Sequence, residues 1–91
     1  MGIQIQLPGT LRRFADGSMT VSVDGGTVGE ALRALAERFP RLAEHLFASD
    51  GEVRNFMNVY LNTQDVRYLQ RMHTTVERGD VLALLPAISG G

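Results

Sequence analysis

Cysteine is absent from the 91 residues. That excludes disulfides, thiol catalysis and thiolate metal ligands. Lysine is absent as well: all 9 basic residues are arginine, at positions 12, 13, 33, 38, 41, 54, 67, 71 and 78. No lysine-linked chain of this protein can form. A carboxyl end that is to be activated meets no competing side-chain amine or thiol here, and a genome that favours arginine codons gives the same pattern. The arginines are scattered among 10 acids and the net charge is −1. Nucleic acid, which selects a basic stripe, is not an expected partner. No apolar run approaches the ~20 residues of a membrane span. Met1-Gly2-Ile3-Gln4-Ile5-Gln6 alternates like a strand rather than opening a signal peptide. Gln6 also breaks the myristoylation pattern. One small cytoplasmic domain is expected, monomeric when free.

Ile3, Ile5 and Leu7 alternate with glutamines and predict a half-buried strand, stopped by Pro8-Gly9. Residues 10–18 are expected to be a loop that turns at Asp16-Gly17. Met19, Val21 and Val23 predict a second strand, and Asp24-Gly25-Gly26 breaks it. Thr27-Val28-Gly29-Glu30 has the form of a capping box, in which Glu30 reaches back to the Thr27 N–H. Val28, Ala31, Leu32, Leu35, Ala36 and Phe39 then recur at helical spacing, and Glu30, Arg33 and Glu37 can pair on the other face. Pro40 ends this helix, and Leu42, Leu46 and Phe47 suggest a short helical turn. The third strand runs over residues 56–62, with Met57, Val59 and Leu61 on its core face. After a turn, Val66-Arg67-Tyr68-Leu69 reads as a short edge strand. Arg78-Gly79-Asp80 turns the chain into Val81-Leu82-Ala83-Leu84-Leu85, apolar throughout as a central strand should be. The fold class is α+β: a mixed sheet of about five strands with one main helix across one face.

No side chain offers a catalyst. His45 and His73 have no partner at metal-ligand spacing, and both read as solvated residues. Ser18, Ser22, Ser49 and Ser89 lack a nucleophile-elbow context. Gly25-Gly26-Thr27 before a helix could cradle an anion, but a turn and cap explain it. The acids at 50, 52, 65, 77 and 80 sit mostly in loops, and Met19, Met57 and Met72 read as core fillers. What remains is the end of the chain. Residues 1–86 form the domain and residues 87–91 a short tail, Ala87-Ile88-Ser89-Gly90-Gly91. At roughly 3.3 Å per residue the tail reaches about 15 Å, far enough to enter another protein's active site. Two terminal glycines, with no Cβ, suit a narrow channel and point to the carboxylate itself as the reactive group.

The final strand, Leu85-Pro86, a tail ending Gly90-Gly91, and the Arg78-Gly79-Asp80-Val81 turn together resemble the β-grasp, ubiquitin-like sulfur-carrier family. The resemblance covers the whole chain. Residues 56–67, Phe-Met-Asn-Val-Tyr-Leu-Asn-Thr-Gln-Asp-Val-Arg, and Leu85-Pro86-Ala87 look most like the branch that serves thiocarboxylate-dependent cysteine synthesis. The resemblance implies a carrier rather than an enzyme. A partner adenylyltransferase/sulfurtransferase, similar to ubiquitin-activating enzymes, would use ATP to adenylate Gly91 and convert it to a thiocarboxylate. In the cysteine branch the sulfur passes to a pyridoxal-phosphate-dependent cysteine synthase, and a metal-dependent JAMM-type peptidase releases the product. This chain itself would bind no cofactor and no metal.

Pro86, Ile88, Ser89 and Gly90 would be read by the enzymes that take the tail. Phe56 and Tyr60, with Leu82 and Leu84 beside them, are expected on the open sheet face as the docking surface. Three other readings fit the same features. They are the same chemistry feeding molybdopterin, thiamin, tRNA thiolation or a secondary metabolite; a ubiquitin-like modifier joined through Gly91; and an interaction domain with an inert tail.

Overall fold

The computed structural model describes residues 2–54 and 57–86. Strand β1 (Ile3–Gln6) pairs antiparallel with β2 (Thr20–Val23). Helix α1 (Val28–Arg38) and helix α2 (Pro40–Leu46) follow. Strand β3 (Met57–Leu61) pairs antiparallel with the two-residue β4 (Gln64–Asp65). Strand β5 (Val81–Pro86) completes a five-stranded sheet of order β2-β1-β5-β3-β4. The last strand is thus the central one, parallel to β1 and antiparallel to β3. This is the β-grasp arrangement that the resemblance implies.

Alternation decides which sheet face is covered. Ile3, Ile5, Val21, Val23, Val59, Leu82 and Leu84 all point to the helical side and are buried. They meet Val28, Ala31, Leu32 and Leu35 of α1 and Leu42 and Leu46 of α2 in one core cluster. Each such aliphatic side chain stabilises the fold by about 1.5–3 kcal/mol when fully buried.

The expected helix start is present, with one change. Thr27 Oγ1 accepts from the Glu30 N–H at 3.2 Å, while Glu30 Oε1 accepts from the Gly26 N–H at 2.7 Å rather than from Thr27. The Gly26 donor that could have met an anion is therefore taken by the protein's own carboxylate. Gly25 permits the close approach: a Cβ there would lie 2.8 Å from the Ala31 nitrogen. Glu30, Arg33 and Glu37 do not pair; among the described residues the one ion pair is Arg67–Asp65. Pro40 ends α1 and also opens α2, where its fixed φ and missing N–H suit the first turn.

Three further expectations give way. Residues 10–18 are not merely a loop: Arg12–Ala15 form a 3-10 turn that buries Leu11 and Ala15, before the reversal at Asp16 (φ 55°) and Gly17 (φ 79°). Met19 is 64% exposed instead of filling the core: it lies one residue before β2, where its carbonyl accepts from the Leu7 N–H at 2.9 Å while its side chain lines a groove with Pro8. Residues 66–69 are not an edge strand. The Asp65 carboxylate accepts from the Arg67 N–H at 2.9 Å and turns the backbone into a 3-10 helix, Val66–Tyr68. A third 3-10 turn, Arg71–His73, leads to Thr74, whose carbonyl accepts from the Val28 N–H at 2.9 Å.

Candidate functional site

Strand β5 runs to Pro86, the last of the described residues, and its start is held in place by hydrogen bonds. At its start, Gly79 (φ 93°) and Asp80 make the expected turn. Asp80 Oδ2 accepts from the Glu77 N–H at 2.8 Å, and the Asp80 carbonyl accepts from the Gln4 N–H at 3.0 Å. Asn62, held at φ 58°, clamps the same point: its Oδ1 accepts from the Val81 N–H at 3.1 Å, and its own N–H donates to the Val81 carbonyl at 2.7 Å. At the other end Pro86 is exposed and stands opposite Met57. A segment that follows Pro86 therefore starts from a set position in the central strand. Ile88, Ser89, Gly90 and Gly91 themselves lie outside the described residues, as does Phe56.

The open face requires a correction. Leu82 and Leu84 stand opposite Leu61 and Val59 and point into the core, with 0% and 1% of their surface exposed. They cannot be part of a docking surface. Their neighbours take that position: Ala83 is opposite Tyr60, and Leu85 opposite Asn58. Tyr60 is half-buried on this face, as expected, and Leu85 is 46% exposed. Met19 and Pro8 join Ala83 and Leu85 along a shallow groove, with Arg12 at its side. On the β1 and β2 side the same face is polar, with Gln4, Gln6, Thr20 and Ser22 exposed. The apolar part of the face thus lies over β5 and β3. Sequence alternation alone left the phase of β5 open, because an all-apolar run does not say which side faces the helix.

Both histidines are exposed. His45 stacks on Phe14 at 4.2 Å between ring centroids, and His73 ends a 3-10 turn. Among the described residues no three His, Asp or Glu side chains converge as a metal site would require. No helix there is long and apolar enough to cross a membrane.

Among the described residues Asp65 is the one buried charge. Arg67 donates to both of its oxygens, with Nη2 to Oδ2 at 2.9 Å. That hydrogen bond holds the Asp65 carboxyl below the usual carboxylate range, against the opposing effect of burial. A depressed folded pKa contributes stability that is present above the unfolded pKa and is lost as pH falls through the folded one. Asp65→Asn keeps an acceptor for the Arg67 N–H but loses the charge. In urea melts it should be less stable than the parent chain at pH 7, and the gap should close on acidification below about pH 4. A gap that persists unchanged at pH 2 would assign the loss to packing instead.

The five-stranded sheet with its final strand at the centre is that of a ubiquitin-like β-grasp protein. The comparisons with known proteins are specific. The profile described as the ThiS family matches residues 5–91. The sulfur carrier protein CysO of Mycobacterium tuberculosis is 32% identical over 93 residues, covering all of both chains. The crystal structure of the BexX/CysO complex of Amycolatopsis orientalis contains a chain that superposes with a TM-score of 0.88 at 31% identity, covering 99% of this chain and 100% of that one. The crystal structure of SAMP1 from Haloferax volcanii gives a TM-score of 0.80 at 38% identity, covering 98% of each. The chain belongs to the ThiS family, whose sulfur carriers and small modifiers are non-catalytic proteins.

Proposed function

We propose that this protein carries sulfur as a thiocarboxylate on Gly91 and delivers it for cysteine synthesis. The observation that carries this reading is the family match, which runs through the terminal Gly90-Gly91. A carboxylate is a poor electrophile. The partner adenylyltransferase joins the Gly91 carboxylate to the α-phosphate of ATP and releases pyrophosphate. Hydrosulfide then attacks the acyl carbon, AMP leaves as the C–S bond forms, a proton is released, and the thiocarboxylate remains. ATP and pyridoxal phosphate belong to the partners, as cofactors belong to the proteins that do the hard chemistry. The likeness to proteins named CysO supports the cysteine branch, with its pyridoxal-phosphate-dependent synthase and its metallopeptidase. That a CysO chain is seen in complex with BexX supports a role as a protein that other proteins receive.

This chain's own contribution is presentation. The central strand fixes where residues 87–91 begin, and Tyr60, Ala83, Leu85 and Met19 offer the docking face. The likeness to small archaeal modifier proteins supports a second reading, conjugation through Gly91, which shares the activation step.

Intact-protein mass spectrometry tests the first reading. After incubation with its adenylyltransferase, ATP and a sulfur source, the chain should gain the mass difference of one oxygen replaced by sulfur. An unchanged mass, with an enzyme shown to be active on another carrier of its set, would count against it. An isopeptide-linked product without a thiocarboxylate would favour the second reading.

A further inference from the structure

The two outer strands of the sheet differ in what they leave open. Strand β4 offers only Gln64 and Asp65. Strand β2 offers four residues, Thr-Val-Ser-Val, with no charged side chain among them. The hydrogen-bond phase of β2 follows from its neighbours. The Leu7 N–H donates to the Met19 carbonyl at 2.9 Å, while the Gln4 N–H points away from β2, to the Asp80 carbonyl. Gln4 stands opposite Ser22, and Gln6 opposite Thr20. Bonded and non-bonded positions alternate in an antiparallel pair, so Thr20 and Ser22 turn their N–H and C=O groups outward. Among the described residues one of these groups has a partner: the Ser22 carbonyl accepts from Arg38 Nη1 at 2.9 Å. Arg38 is the last residue of α1, where a cation suits the helix terminus, and its guanidinium lies 5.6 Å from the Phe39 ring centroid. The arginine thus reaches from the end of the helix across the free edge of the sheet.

We infer that the β2 edge is a strand-pairing surface for a second copy of this chain, and that Arg38 holds it closed. The register names the occupant. Two β2 strands related by a two-fold axis at Val21 set Thr20 of each copy opposite Ser22 of the other, and each such pair exchanges N–H and C=O in both directions. Every outward group of the two residues then has a partner. Symmetry supplies a strand already matched in length, composition and register. Two of the four bonds so formed end on a Ser22 carbonyl, which is the group that Arg38 occupies. The same axis brings both Arg38 guanidinium groups to one seam, where like charges repel. Three of the four residues are β-branched and favour the strand. An uncharged edge of this composition is one that natural sheets protect, and a charged side chain laid on it is among the usual means. The inference is independent of the carrier reading.

The test is sedimentation velocity on the full chain over a range of concentrations. Arg38→Ala should form a dimer with a Kd of about 0.1–1 mM, the weak end of specific association, and at least about tenfold tighter than any dimer of the parent chain. Arg38→Met keeps the aliphatic stem beside Phe39 and removes the donors. It should dimerise in the same way, which covers the case in which alanine disturbs the helix end. Thr20→Pro is the control. Thr20 is the first residue of an edge strand and its N–H points outward, so proline there costs the β1–β2 ladder no bond. Arg38→Ala combined with Thr20→Pro should be monomeric again. In ¹⁵N NMR spectra of Arg38→Ala, shifts on dilution should centre on Thr20, Val21 and Ser22. Monomers for both Arg38 variants at about 1 mM would overturn the proposal, and Arg38 would then only brace α1 against β2. So would a dimer of Arg38→Ala that Thr20→Pro leaves equally tight, dilution shifts centred elsewhere, or a parent chain that dimerises as readily as Arg38→Ala.

Discussion

Deleting Gly91, or replacing Gly90 with alanine, should abolish thiocarboxylate formation while leaving the fold intact. The expected loss in activation rate is about 10²-fold or more, the cost of misplacing a reacting group by roughly 1 Å. Deletion of Gly91 withdraws the carboxylate by one residue, about 3.3 Å. Gly90→Ala adds a Cβ where a channel built for glycine has no room. Thermal stability should change by no more than about 0.5 kcal/mol, as for substitutions away from a packed core. Pyrophosphate release during adenylation, measured beside a thermal melt, separates the two effects. Normal adenylation of Gly90→Ala would remove the narrow-channel argument, and a large loss of stability in either variant would mean that the end of the chain is part of the fold.

The second large effect distinguishes two adjacent leucines. Leu84 has 1% of its surface exposed, in the central strand, while Leu85 is 46% exposed on the open face. Leu84→Ala should destabilise the protein by about 2–5 kcal/mol, through lost burial and the cavity left behind. For a domain this small that is a large part of the total stability, and soluble yield should fall with it. Leu85→Ala should cost less than about 1 kcal/mol in stability but should weaken the adenylyltransferase complex by about 1–3 kcal/mol if the apolar face is the docking surface. Urea melts and titration calorimetry on both variants give the two quantities independently. Comparable destabilisation by both substitutions would show that the open face is covered. Unchanged affinity for Leu85→Ala would move the docking surface elsewhere without affecting the role of Gly91.

Much of the fold is legible because it is local. The Thr27 N-cap, the period of α1, the alternation of β1 and the Gly79-Asp80 turn each follow from a few neighbouring residues, and each is present, though Glu30 reaches back to Gly26 rather than Thr27. The misreadings arise where a side chain redirects the backbone or where the partner of a strand matters. Val66–Tyr68 reads as strand from its composition, but the Asp65 carboxylate captures the Arg67 N–H and makes a 3-10 turn. Leu82 and Leu84 read as open-face residues because nothing within β5 marks its inner side. The register settles this: Leu82 aligns with the inward-facing Ile5 on β1, and Leu84 with Val59 on β3.

The candidate site divides in the same way. The Gly-Gly terminus and the absence of lysine and cysteine are properties of covalent sequence, and the functional reading rests on that terminus together with the family match. The sequence by itself determined the family and put a diglycine, the basis of the role proposed for Gly91, at its last two positions. Only the tertiary structure decided the surfaces. It put Ala83, Leu85 and Met19 on one accessible face and buried Leu82 and Leu84. The physical reason is that a reactive terminus needs no partner within the chain, whereas a surface is made of residues far apart in sequence. Their meeting depends on strand register and on two turns at Asn62 and Arg71 with positive φ, which periodicity does not encode.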